Sequence, residues 1–118
     1  MDWVEARGDL DGARIGLSGA SMGGYYVPRV AARDARVRAA IANSGAFSVL
    51  KNFDQRPQTL KEAYRLRTHS ATVAEAREKT AAFNLDGIAV DITCPMFVIG
   101  AKDDRITRYQ DAERLARE

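Results

Sequence analysis

The sequence is poor in cysteine and has no long apolar run, and each scarcity removes a class of protein. Cys94 is the only cysteine, so neither an intrachain disulfide nor a thiolate metal cluster can form. In Ile92-Thr93-Cys94-Pro95 it reads as a small buried hydrophobe at a strand entrance, with a reactive thiol as the alternative. No stretch approaches the roughly 20 apolar residues of a membrane span, and the start carries no signal-peptide pattern. The expectation is a cytoplasmic chain with no membrane partner. Charge of one sign is lacking too: 18 Lys and Arg stand against 16 Asp and Glu, scattered without a basic stripe, so no nucleic acid is expected as a partner. Arg36 with Arg38, and Arg65 with Arg67, read as solvated faces. There are no internal repeats and no linker-like segments. A length of 118 residues at 46% hydrophobic content fits one small globular domain, residues 1–118.

What is present is concentrated between Arg14 and Gly24. Ile15-Gly16-Leu17-Ser18 is a strand run that breaks into Gly19-Ala20-Ser21-Met22-Gly23, and a helical pattern follows. Strand, Gly-x-Ser-x-Gly and helix in that order form the pattern of a nucleophile elbow. A serine at the apex of such a turn sits in strained backbone that holds its hydroxyl clear of the sheet. Gly19 and Gly23, having no Cβ, are expected to let strand end and helix start cross closely. The N-terminus of the following helix turns free N–H groups and partial positive charge toward a developing oxyanion.

Along the rest of the chain, Trp3 to Arg7 reads as the last turns of a helix, and residues 8–12 as a turn. Helical spacing from Met22 to Ala32 places Tyr26, Val27, Val30 and Ala31 on a face for the sheet, with a local kink expected at Pro28. A second strand, 37–44, ends in polar residues. Because ligands collect outside the carboxyl ends of parallel strands, Asn43, Ser44 and Phe47 are candidate pocket positions, a plain polar turn being the alternative, and Tyr25 is a further candidate. Between Phe47 and Asp86 the strand pattern gives way to two helices, opened by capping boxes at Thr59 with Glu62 and at Thr72 with Glu75. Glu75 and Lys79 form a helix-surface pair, and Ala74, Ala81, Ala82 and Phe83 a thin apolar stripe. This helical insertion, 47–86, would cover the carboxyl edge of the sheet as a cap, or pack against another subunit. Met96 to Gly100 is a continuous apolar run, expected to be a strand buried on both faces. A third capping box, Thr107 with Gln110, would open a final amphipathic helix.

The motif Gly19-Ala20-Ser21-Met22-Gly23-Gly24-Tyr25-Tyr26, with Ile92-Thr93-Cys94-Pro95 and Gly100-x-x-Asp103-x-x-Ile106, resembles the α/β-hydrolase superfamily. Within it, Leu60-Lys61-Glu62-Ala63-Tyr64-Arg65-Leu66-Arg67 and Phe83-Asn84-Leu85-Asp86-Gly87-Ile88 look like the 2,6-dihydroxypseudooxynicotine hydrolase and FrsA-like esterase group. The resemblance implies a partial α/β-hydrolase fold: three parallel strands with flanking helices and a helical cap insertion. It places the nucleophile at Ser21, an oxyanion-hole N–H at Met22 and the triad acid at Asp103, three residues after the strand-ending Gly100. Asp104 is then left to pair with Arg105 or cap a turn. It implies no cofactor and no metal, a small-molecule substrate, and permits a homodimer.

The triad base is what the sequence does not offer in the expected place. In this superfamily the histidine follows the acid, after one more strand. His69, the only histidine, precedes Asp103 and lies between the two insertion helices, so it reads as a polar loop residue with the role of base as its alternative. The chain is therefore expected to be the middle and C-proximal part of a hydrolase, inactive and marginally stable alone, with open strand edges. The leading reading is a serine hydrolase acting on an ester, an amide or a carbon–carbon bond beside a ketone through an acyl-enzyme. The alternatives are a non-catalytic hydrolase-like domain that binds a ligand or partner, and a phosphate-binding domain, which lacks the Gly-Lys-Ser/Thr such a turn uses.

Overall fold

A computed structural model describes residues 1–118. After a single helical turn, α1 (Asp2–Glu5), the chain enters β1 (Ile15–Ala20), turns at Ser21 into α2 (Met22–Ala31), and returns as β2 (Val37–Asn43). An excursion carries α3 (Gln58–Arg67) and α4 (Val73–Lys79) before β3 (Met96–Ile99) and α5 (Tyr109–Leu115). The strands form one parallel sheet in the order β1-β2-β3, with Leu17 opposite Ala40 and Ala42 opposite Val98. Parallel order requires crossovers, and α2 supplies the first, packing along both β1 and β2.

One face of the sheet is covered and the other is bare. Val27 and Ala31 of α2 pack on Val37 and Ala40, while Tyr25, Ala42, Phe47, Leu85, Ala89 and Leu115 form the adjoining cluster. On the opposite face Ile41, Phe97 and Ile99 are exposed, Phe97 at 66%. This corrects the expectation that Met96 to Gly100 is buried on both faces: in β3, at the sheet edge, burial alternates residue by residue. The buried side of α2 also differs from its apolar spacing. Gly24, Tyr25, Val27, Pro28 and Ala31 face inward, leaving Tyr26 and Val30 exposed, and the helix runs through Pro28. Cys94 is half-buried just before β3 and packs against the α2 cluster.

Two close backbone crossings fix how the sheet meets α2. A Cβ on Gly19 would lie 2.5 Å from the Gly23 carbonyl oxygen, whereas one on Gly23 would meet nothing, so the need for glycine falls on Gly19 alone. The second crossing had no signal in the motif: Gly24 and Gly45 abut, with added Cβ atoms 2.5 Å from the Asn43 oxygen and 2.3 Å from Gly24 backbone respectively. The Ser21 N–H donates to the Asn43 carbonyl at 2.9 Å, tying the elbow to the end of β2.

The excursion has its own small core of Ala46, Val49, Phe53, Tyr64 and Ala76, joined to the sheet domain through Met22 and Phe83, which also pack on the sheet-side cluster. Its entry and exit are stitched together. Val49 N–H donates to Phe83 O and Leu85 N–H to Phe47 O, each at 3.0 Å. The Thr72 side chain caps α4 by accepting from Glu75 N at 3.1 Å, and Glu75 pairs with Lys79 at 2.8 Å, as their spacing suggests. The other two capping boxes do not form. α3 starts one residue before Thr59, behind Pro57, and α5 starts behind Arg108 with no side-chain cap, so Thr59 and Thr107 sit in the wrong place to accept. Nor is the stripe Ala74, Ala81 and Ala82, all exposed; α4 buries Ala76 and the chain beyond it Thr80 and, partly, Phe83. No helix is long and apolar enough to cross a membrane.

The glycine geometry is directly testable. Gly24→Ala and Gly45→Ala should each cost about 3 kcal/mol or more, because rigid backbone rather than a side-chain end must yield. Gly23→Ala, inside a helix and facing open space, should be neutral or stabilise by up to about 1 kcal/mol. Urea unfolding of the three variants checks the order.

Candidate active site

Ser21 stands between β1 and α2 with φ 56° and ψ −116°, a left-handed conformation that costs a non-glycine residue roughly 1–3 kcal/mol. The crossings described above hold it there. Gly19 lets the helix start pass within contact of the strand end, and the Asn43 carbonyl takes the serine's own N–H. The hydroxyl consequently stands clear of the sheet edge. Met22 is the first residue of α2, so its N–H has no carbonyl four residues back within the helix to bond.

Two adjoining hollows open beside Ser21. The smaller, about 10 Å³, is bounded by Ser21, Met22 and Tyr25 from the elbow, Ala46 and Val49 after β2, and Thr107 before α5. That is close to the room one water needs. The larger, about 100 Å³, is bounded by Ser21 and Met22 on one side and by Leu60, Ala63, Tyr64 and Arg67 of α3 on the other. Arg56 and Tyr64 line both. The elbow and the excursion thus share one cleft. Tyr25 is its buried floor: its hydroxyl accepts from Arg29 Nη1 at 3.0 Å, its ring meets Phe83 edge-on, and burial pushes its phenol above the ordinary range.

The other candidate residues lie around this cleft in different ways. Phe47, 1% exposed, belongs to the core beneath and not to the wall. Asn43 and Ser44 close β2 just behind the elbow, and Ser44 has a left-handed φ of 49° with its hydroxyl donating to Asn43 Oδ1 at 3.2 Å. Neither lines the two hollows. Asp103 and Asp104 share the turn after β3 but differ in setting. Asp103 is exposed and its carboxylate accepts no hydrogen bond, while Asp104 Oδ1 accepts from Ile106 N at 2.8 Å and Thr107 N at 3.1 Å. Those two amides, Ile106 first, hold the Asp104 carboxyl below the ordinary carboxylate range, helped by the Ser44 hydroxyl and Arg56. Asp104 therefore caps the loop that brings Thr107 to the cleft. His69 is exposed in the turn between α3 and α4, φ 49°, and borders neither hollow.

Sequence reasoning did not find Arg56, Tyr64 or Thr107. Arg56 sits in Phe53-Asp54-Gln55-Arg56-Pro57, where a charged residue among polar neighbours reads as surface, yet it is 6% exposed. The sole local sign is the proline after it, which forces the chain to turn there and start α3. A buried link fastens this segment to α5: Asn52 Nδ2 donates to Asp111 Oδ2 at 2.7 Å, and burial pushes the Asp111 carboxyl up.

The family model described as the prolyl oligopeptidase family matches residues 1–118. None of the curated proteins matches the sequence. Among solved structures, a 2,6-dihydroxy-pseudo-oxynicotine hydrolase superposes with a TM-score of 0.90 at 26% identity, over 98% of this chain and 33% of its own. An acylaminoacyl peptidase from Pyrococcus horikoshii superposes at 0.74 with 18% identity, over 97% of this chain and 18% of its own. Acetyl xylan esterase 1 from Thermoanaerobacterium gives 0.70 at 20%, over 98% of this chain and 39% of its own. The chain spans about a third of the first of these structures. The three parallel strands with their flanking helices are part of an α/β-hydrolase fold.

The capping role of Asp104 carries a stability prediction. Its carboxylate form is favoured in the folded state, so the stabilisation is fully present above the ordinary carboxylate range near pH 4 and lost as pH falls through the lowered value. Asp104→Ala should cost about 1 kcal/mol at pH 7 and less at pH 3; Asp104→Asn, which keeps an acceptor oxygen, should cost less than the alanine. Denaturant midpoints at the two pH values read this out.

Proposed function

We propose that this chain, which belongs to the prolyl oligopeptidase family, supplies the nucleophile, one oxyanion donor and the triad acid of a serine hydrolase. The observation that carries the reading is the strained Ser21 at a strand–helix apex, facing a cleft shared with the helical excursion. Strain of this kind persists only where the surroundings over-determine it, and here it serves to present a hydroxyl.

In this reading Ser21 Oγ attacks the carbonyl carbon of an ester, an amide or a ketone, and a base takes its proton as the new C–O bond forms. The negative charge that develops on the carbonyl oxygen is met by the Met22 N–H, aligned with the N-terminal end of α2. Collapse expels the leaving group, which takes the proton from the base, and leaves an acyl-serine. Water then adds with the same base and releases the acid and free Ser21. Asp103 is the acid that orients the base, because it is the carboxylate left free while Asp104 is occupied by loop amides. In this reading the base is a histidine, which the superfamily resemblance places after the acid, and the chain alone is inactive. The excursion 47–86 acts as the cap that shapes the pocket for a small-molecule substrate and limits water.

A non-catalytic ligand-binding domain would place the same cleft to another use, and a probe for activated serines separates the two. The protein in its full length should react with a fluorophosphonate at Ser21, and Ser21→Ala should not. Asp103→Asn should lower kcat for an ester substrate by about 10³-fold or more, and Asp104→Asn by less than about tenfold. Folded full-length protein that fails to label would establish the non-catalytic reading. Equal losses at the two aspartates would remove Asp103 from its role.

A further inference from the structure

The cleft beside Ser21 contains a buried cation without a partner. Arg56 is 6% exposed, and its Nε and Nη2 have neither solvent contact nor a hydrogen-bond acceptor. No carboxylate lies within ion-pair distance of it, although twelve such pairs are made elsewhere in the chain. The carboxylates its charge influences are already engaged: Asp104 by the Ile106 and Thr107 amides and Asp111 by Asn52. What does contact the guanidinium is the Tyr64 ring, whose centroid is 5.6 Å from its central carbon. That contact places the cation over the ring and satisfies none of its N–H bonds.

An unpaired buried guanidinium is among the more costly things a fold can carry, and an unsatisfied buried donor calls for an acceptor that arrives from outside. The two orphaned nitrogens are informative together. Nε and Nη2 lie on the same edge of the guanidinium, and their N–H bonds run parallel, a fork that matches the two oxygens of a carboxylate. Arg56 borders both hollows that Ser21 borders. Leu60, Ala63 and the Tyr64 ring, which line the larger hollow, are apolar or aromatic, so the lining suits a short hydrophobic or aromatic spacer.

We propose that Arg56 is a specificity-determining residue that holds a carboxylate of the substrate side-on, so that the hydrolase acts on esters or amides of small carboxylate-bearing compounds. This rests on the serine hydrolase reading above. The carboxylate is distinct from the carbonyl under attack: Arg56 anchors it while the Met22 N–H, which borders the same cleft, receives the oxyanion. Arg67, exposed at the rim of the larger hollow, adds positive charge along the entry path without being buried or orphaned. A neutral substrate of the same shape would leave the fork unsatisfied, which makes the discrimination strong in the direction of the anion.

The test separates recognition from chemistry. Benzoate and the isosteric benzamide are titrated into the full-length protein and its Arg56→Met and Arg56→Lys variants, with binding read by calorimetry and folding by circular dichroism. Benzoate should bind at least about tenfold more tightly than benzamide, Arg56→Met should abolish that preference, and Arg56→Lys should keep part of it. In turnover, 4-acetoxybenzoate should exceed 4-acetoxybenzamide in kcat/KM by about tenfold or more, and Arg56→Met should reduce the anionic substrate while leaving the neutral one and fluorophosphonate labelling of Ser21 in place. Equal binding of benzoate and benzamide by the wild-type protein overturns the proposal, as does an Arg56→Met variant that is folded and keeps the preference. Preferential benzoate binding without labelling of Ser21 overturns the hydrolase reading and the substrate assignment with it, leaving Arg56 as an anion-binding residue.

Discussion

The arrangement depends on backbone touching backbone at two glycine contacts. β1 and α2 approach so closely that Gly19 has no room for a Cβ against Gly23, and α2 and the end of β2 approach so closely that Gly24 and Gly45 have none against each other. Between these contacts the turn residue has no relaxed conformation available, and Ser21 takes a left-handed φ. The exposed hydroxyl is a consequence of packing, not a local preference of serine. Several neighbours are positioned relative to that contact: Tyr25 one turn into the helix and Ala46 and Val49 where β2 runs on into the excursion border the cleft, and Asn43 behind them accepts from the Ser21 amide.

The excursion is anchored at both ends and so can hold a charge in place. Its entry and exit pair through Val49 with Phe83 and Leu85 with Phe47, and the Asn52–Asp111 bond fastens its first turn to α5. Its private core, from Phe53 to Ala76, holds Tyr64, and the Arg56 guanidinium lies over the Tyr64 ring. A guanidinium on a flexible surface loop would turn to water or to the nearest carboxylate. Held beside a packed aromatic, Arg56 keeps two buried donors without an acceptor within this chain, the observation from which the substrate-carboxylate proposal starts.

The sheet is covered on one face only. α2, α5 and the turns around Leu85 and Ala89 share a side, and Ile41, Phe97 and Ile99 are open on the other. This explains why the apolar run 96–100 does not end as a strand buried on both faces in this chain. Sequence records the environment for which β3 is suited, while burial records what is there to cover it. Asp103 and Asp104 divide in a comparable way. Both are carboxylates in one turn, but two loop amides point at Asp104 and none at Asp103, so the neighbours separate into a cap and a free acid.

Local chemistry determined much by itself. Strand, turn and helix around Ser21 are legible because Gly-x-Ser-x-Gly is rare in that setting, and the three strands and the Thr72–Glu75 cap follow from periodicity and capping rules that act over a few residues. Tertiary structure decided the rest, for reasons of distance. The Thr59 and Thr107 caps fail because helix starts are set by what Pro57 and the Asp104 loop allow. Gly45 is required by Gly24, some twenty residues away, and no motif spans that interval. Arg56 is the sharpest case: its local sequence says surface, and only the folded excursion that sets Tyr64 beside it and the Ser21 turn across the cleft takes its charge out of water, because burial is a property of the assembled chain and not of the residue.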